Sequence, residues 1–389
     1  MWPRLDTRPA RAPGRVLLIH PGALGDLVQA LPAFGAVRAT YPQARVTLVV
    51  GDDLAAFAAG FDLFDRVEPF DVAAAYRGSA AARLAVLARL CARLRAASPD
   101  AVGVFKGAPS YAVLAAASGA SVRVGLARGW GARLLTTPIA IDPGAHHEDR
   151  FLAVAHALGA TPDGADPPRW PAVALPAAFV AVRAFAEYPA FVAVAPGGAR
   201  NAKQDYAPKR WPARHFAEAV RLVRATHHVV PVLLGGSGDR DEAEQFRVAL
   251  GPGVDIVDLV ARTSVPEARA VIAACDAYLG NDSGLMHVAG TTTTPIVAVF
   301  GPTDPRVLAP RGRHVYTPWH PSRRTACVDE RTGQVAPCSE ICCMDRVTPA
   351  EVADALDAAL HAARHAGRDV VRRARDGAAG QPAVAGGGT

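Results

Sequence analysis

Four stretches of the chain set glycine beside small polar or charged residues in a way that could hold an anion. They are Gly22-Ala23-Leu24-Gly25-Asp26, Pro196-Gly197-Gly198-Ala199, Leu234-Gly235-Gly236-Ser237-Gly238-Asp239 and Gly280-Asn281-Asp282-Ser283-Gly284. Glycine lets the backbone approach a ligand closely, and the exposed amides of a helix start favour negative charge. Asp26 suits two roles, a helix N-cap or a carboxylate in a cleft. After Gly197, Gly198 and Ala199 come Lys203 and Lys209, cations for the phosphates of a diphosphate or ordinary solvated lysines. The Leu234 turn suits either backbone requirements, the commoner reason for such turns, or a ligand role. Asp282 and Ser283 are good helix caps, yet with Gly284 and His287 they crowd donors and acceptors that a diphosphate or ribose could use. A histidine alone is more often a packing residue, and Glu242 and Glu267 lie on predicted helices without such a setting. Cys327, Cys338, Cys342 and Cys343 depart from paired Cys-x-x-Cys spacing, so thiols in an irregular loop are expected rather than a metal site. Cys91 and Cys275 read as core.

Each glycine stretch follows a buried apolar run and opens a helical pattern, so a repeating βα frame must position them. The runs Val16–Ile19, Val46–Val50, Arg66–Pro69 and Ala101–Phe105 predict strands, with helices from near Asp26 and over Ala80–Ala97. The alternation restarts with strands Phe191–Ala195, Val229–Leu234, Asp255–Asp258, Ala277–Leu279 and Pro295–Phe300. Helices are expected over Pro212–Thr226, Asp241–Leu250 and Pro266–Ala274. Such alternation gives parallel sheets. Two sets joined by the turn-rich Thr161–Pro168 predict an α/β protein of two Rossmann-like domains facing a cleft. The boundaries are a flexible N-terminus 1–14, a first domain 15–160, a linker 161–175, a second domain 176–348, a C-terminal helix 349–366 and a disordered tail 367–389.

The 389 residues exceed one ordinary core, which agrees with two domains. Lys+Arg 42 against Asp+Glu 36 leaves a net charge of +6, suited to anionic sugars or lipids. No basic stripe interleaved with aromatics marks a nucleic-acid partner. No leader or membrane-span pattern is read, so a cytoplasmic protein with at most peripheral contact at the inner membrane face is expected. The absence of Gly-x-Gly-x-x-Gly argues against a nicotinamide-dependent oxidoreductase.

In this order the motifs resemble the ADP-heptose:lipopolysaccharide heptosyltransferase family, glycosyltransferase family 9. The resemblance starts at Ile19-His20-Pro21-Gly22-Ala23-Leu24-Gly25-Asp26 and Leu31-Pro32, and includes Tyr41-Pro42 and His147, Asp149 and Arg150. It continues through Ala195–Ala199, Lys209-Arg210-Trp211-Pro212 and Leu234-Gly235-Gly236. Its most specific parts are Asn281-Asp282-Ser283-Gly284 with His287, and Phe300-Gly301-Pro302-Thr303 with Pro305. It implies a GT-B fold and an inverting transfer that needs no metal or other cofactor, with the acceptor on the first domain and the nucleotide sugar on the second. It also implies Asp26 as the catalytic base, with Gly22, Ala23 and Gly25 beside it. The expected donor is ADP-heptose and the expected acceptor a glycolipid or core oligosaccharide. Arg200–Pro208 is longer than the family pattern, which keeps Lys203 beside Lys209 as a phosphate ligand. Other nucleotide sugars, protein acceptors and a non-catalytic sugar-nucleotide binder are the alternatives.

Overall fold

The computed structural model describes residues 12–161, 167–184, 190–200, 205–321, 328–329, 334–335 and 342–379, with 328–329, 334–335, 342 and 366–379 as backbone alone. In the first half, strands β1 (Arg15–Ile19), β2 (Arg45–Gly51), β3 (Arg66–Phe70), β4 (Ala101–Val104), β5 (Val122–Ala127) and β6 (Thr137–Ala140) alternate with helices. These are α1 (Leu24–Thr40), α2 (Asp52–Ala59), α3 (Val72–Tyr76), α4 (Ala80–Ala97), α5 (Pro109–Ala117) and α6 (His147–Ala157). After α7 (Ala177–Ala184) the second half runs β7 (Ala190–Ala195), α8 (Ala213–Arg224), β8 (Val229–Leu233), α9 (Arg240–Leu250), β9 (Val257–Asp258) and α10 (Val265–Ala273). It continues β10 (Ala277–Asn281), α11 (Gly284–Ala289), β11 (Ile296–Val299), α12 (Pro305–Leu308) and β12 (Val315–Tyr316). A short antiparallel pair, β13 (Val328–Asp329) and β14 (Gln334–Val335), precedes α13 (Cys342–Asp345) and α14 (Pro349–Ala379).

The first sheet is ordered β3-β2-β1-β4-β5-β6 and the second β12-β11-β10-β7-β8-β9, with every pairing parallel. Counted within its own half, each follows the same 3-2-1-4-5-6 order of the doubly wound fold. A strand covered on both faces must be apolar on both, so it reads as a continuous run rather than an alternation. In β1, Val16 and Leu18 enter one core while Leu17 and Ile19 enter the core on the other face. The central strands β4 and β7 are buried along their whole length.

Several expectations shift. β5 and β6 extend the first sheet beyond the expected strands; β5 contains Arg123, and β6, with Pro138, lies at the sheet edge where it carries little apolar signal. α1 begins at Leu24 rather than near Asp26. α14 runs through Gly367 to Ala379, where the tail was expected, because Gly367 and Gly377 weaken a helix of alanine and arginine without ending it. Trp170 meets the Phe57 ring at a tilt and the Phe61 ring edge-on and lies under Arg269, which pins the chain on its way to the second half.

α1 is the hub. Leu27, Leu31, Phe34 and Val37 pack into the first core, while Val28 enters the core of the second half. Its first turn lies against α11: a Cβ on Gly25 would come within 2.4 Å of the His287 ring, and one on Gly284 within 3.1 Å of Leu24.

Candidate active site

In a doubly wound sheet the strand order reverses once, and the loops leaving the two strands at that point diverge to form a crevice. The crevice lies between β1 and β4 in the first half and between β7 and β10 in the second. The four loops that leave these strands carry Asp26, Lys106, Gly197–Ala199 and Asp282–Gly284. All of them line one cavity of about 570 Å³.

On the first side, Asp26 Oδ2 accepts from Lys106 Nζ at 2.6 Å and from the Ala23 amide at 3.3 Å. Asp26 therefore sits in the first turn of α1 and reaches back over its start, so it is not the N-cap; Ala23 is. His147 Nδ1 stands 3.7 Å from Asp26 Oδ1. Burial works against the charge, but the Lys106 ammonium and the His147 ring outweigh it and hold the carboxyl well below the usual carboxylate range. The Asp26 and Lys106 side chains each remain 26% exposed, which leaves the carboxylate reachable from the cavity. Arg128 and Arg150 extend this basic wall. Ala23 and Gly25 line the cavity. Gly22 does not, because its turn faces inward and its amide donates to His20 Nδ1 at 3.3 Å.

On the second side, Lys209 ends one tight turn, Ala207–Lys209, and its Nζ meets Asp282 Oδ2 at 2.8 Å. The Thr303 hydroxyl donates to the same oxygen at 2.6 Å. Asp282 is 4% exposed. Its burial raises the carboxyl, but the Lys209 charge and bond, the Thr303 hydroxyl and the His287 ring lower it further. His287 itself is pushed down to about 4, mainly by burial, so it is neutral near pH 7. Ser283, Gly284, His287, Gly197, Gly198 and Ala199 all line the cavity. Lys203 lies outside the described residues, as do Cys327 and Cys338 and the side chain of Cys342; Cys343 and Cys275 are buried thiols.

Structural side chains hold these loops in place. Asn281 Nδ2 donates to the Pro196 and Gly197 carbonyls, both at 3.0 Å, and its Oδ1 accepts from the Trp211 amide at 2.9 Å. The Trp211 indole donates to the Val347 carbonyl at 3.0 Å. Asp239 accepts from the Gly198 amide at 2.7 Å and from the Gly236 amide at 2.8 Å. The Gly198 amide, one candidate diphosphate donor, is thus turned toward Asp239. Gly198 has φ +89°, and a Cβ on it would lie 2.7 Å from the Ser283 Cβ, so a larger residue would push the two loops apart. Glu242 is set as well: it pairs with Arg200 at 2.6 Å. Glu267 closes the capping box of α10 with Ser264.

Lys106, Thr303, Asp239 and Gln29 had no assigned role in the sequence. Lys106 had a positional signal only, as the first cation after the second crevice strand. His147 and Arg150 reach the cavity, whereas Asp149 pairs across the cleft with Arg311.

Two facing doubly wound sheets with the site between them define a GT-B architecture. The family model for glycosyltransferase family 9 (heptosyltransferase) matches residues 87–337. The chain belongs to that family. The lipooligosaccharide heptosyltransferase 2 of Haemophilus influenzae is 36% identical over 104 residues, 26% of this chain and 30% of that relative. The alignment thus spans under a third of the length of such curated relatives. Solved structures extend the likeness in fold. The E. coli ADP-heptose LPS heptosyltransferase II structure is 23% identical with a TM-score of 0.65, covering 89% of this chain and 98% of that one. The family 9 glycosyl transferase of Veillonella parvula is 18% identical with a TM-score of 0.68, covering 89% and 97%.

Proposed function

We propose that this chain is an inverting glycosyltransferase that moves heptose from ADP-heptose to a lipopolysaccharide-core or related surface-glycan acceptor. One observation carries the reading: an ionised, reachable Asp26 on one wall of a single cavity faces a buried lysine–aspartate pair on the other. An acceptor hydroxyl bound on the first wall loses its proton to Asp26 as its oxygen attacks the anomeric carbon. The bond from that carbon to the diphosphate breaks on the opposite face, so the configuration inverts and no covalent sugar–enzyme intermediate forms. Lys209, with the peptide amides of Ala199, Ser283 and Gly284, receives the charge that develops on the leaving diphosphate. The nucleoside fits beside Leu234, Val265 and Ala268, which line the same cavity. Lys106, Arg128 and Arg150 on the acceptor wall suit an acidic glycan. No described helix is long and apolar enough to cross a membrane, so a glycolipid acceptor would be met from the surface.

Another nucleotide sugar is the competing reading, and a thermal-shift panel with ADP-, GDP-, UDP- and dTDP-sugars separates the two. A ligand held by the folded state raises the melting temperature by mass action. Stabilisation confined to ADP-sugars is expected; preference for a UDP- or GDP-sugar would replace heptose with another donor.

A further inference from the structure

Gln29 lies one helical turn after Asp26 on α1, is 9% exposed, and reaches into the other half. Its amide nitrogen is 2.7 Å from His287 Nδ1, 3.2 Å from His287 Nε2 and 3.3 Å from the Leu308 carbonyl oxygen. The Leu308 carbonyl only accepts, so it decides which way the amide points: flipped, Gln29 Oε1 would meet it oxygen to oxygen. With the nitrogen there, one N–H goes to Leu308 and the other to the nearer ring nitrogen. Nδ1 must then be the acceptor. Gln29 Oε1 is buried without a hydrogen-bond partner. A leucine would fill much of the space without burying an unmatched acceptor, so packing alone does not call for glutamine.

We propose that Gln29 is a positioning residue that locks His287 in the tautomer with its proton on Nε2 and couples that ring to the helix bearing the base. The inference rests on the sugar-transfer reading above. The ring lines the cleft against Gly25, and the charges of Asp282, Asp26, His147 and Lys209 bear on it from both walls. A neutral Nε2–H there donates to an oxygen of the transferred sugar or its diphosphate, while the other tautomer would turn a lone pair on it. Because Gln29 and Asp26 share one helix, the contact across the halves fixes the donor N–H relative to the base.

The test uses the full chain labelled with [15N]histidine, with His287 assigned through loss of its signals in His287→Asn. Long-range proton–nitrogen correlation spectra between pH 6 and 8 are expected to show His287 protonated on Nε2. In Gln29→Leu the tautomers should mix. That variant should keep the thermal stabilisation by ADP and its KM for ADP-heptose within about threefold, while acceptor-dependent ADP release falls about 30-fold in kcat. Gln29→Glu, nearly isosteric, should move the proton to Nδ1 with a similar loss, and it serves if the leucine variant folds poorly. A wild-type ring protonated on Nδ1, or a folded Gln29→Leu with wild-type tautomer and kcat, overturns the proposal. Wild-type protein that binds ADP but releases none from ADP-heptose would sink the sugar-transfer reading instead, and the spectra would still decide the Gln29–His287 lock.

Discussion

The two halves share one strand order and place a lysine–aspartate pair at the same topological point, yet the pairs differ in burial. Asp26 and Lys106 are each 26% exposed, whereas Asp282 is 4% and Lys209 17% exposed. Asp26 has a histidine as its further neighbour; Asp282 has the Thr303 hydroxyl bonded to it. A carboxylate that must accept a proton needs access. One that must hold an ammonium ready for a phosphate benefits from being enclosed, where the attraction is less screened. The fold thus offers the same crevice twice, and on the proposed sugar-transfer reading the difference in side-chain access would divide the labour between base and leaving-group support.

Breaking the exposed pair at its carboxylate should have the largest effect. Asp26→Ala is expected to lower kcat about 10³-fold while leaving ADP binding intact, a contrast read from turnover and thermal shift on the same preparation. Near wild-type turnover would remove the base from the first half. Next is Lys209→Met, expected to lower kcat/KM about 10²-fold and to abolish stabilisation by ADP, since the enclosed aspartate then faces the diphosphate without its cation. If stabilisation by ADP survived, the second pair would be structural. The smallest change sharpens the first pair. In Lys106→Met the burial that raises Asp26 is no longer offset by the ammonium, so its pKa must climb. The base is then lost at a higher pH as the solution is acidified, and the acid limb of kcat/KM should move upward relative to wild type. Superimposable profiles between pH 5 and 8 would show that Lys106 does not tune Asp26.

The same contrast explains what was legible in the sequence. Asp26 and Asp282 stand beside glycines at the ends of apolar runs, Lys209 stands on the loop that follows the Gly197-Gly198 turn, and a parallel strand buried on both faces writes itself as such a run. Lys106 also ends an apolar run, beside Gly107, but its partner is not written there: only the placing of β4 beside β1 brings it to Asp26, across 80 residues of chain. Gln29 reads as a stray polar residue in a helix until α11 is packed against it. β5 and β6 were missed because short strands toward an edge carry arginine and proline, and the sheet rather than their composition makes them strands. The tail expected from 367 rested on an Arg-, Gly- and Ala-rich composition, but alanine and arginine favour a helix and no proline follows until Pro382.

Trp211 gives the Lys209–Asp282 wall an unexpected dependency. Its amide is bonded to Asn281 and its indole to Val347, while Asn281 also holds the carbonyls of Pro196 and Gly197. The loop that ends in Lys209, the strand end that bears Asp282 and the approach to the final helix are therefore tied in one knot. The setting of the Lys209–Asp282 wall thus depends on a carbonyl well outside that wall's own loops, at Val347.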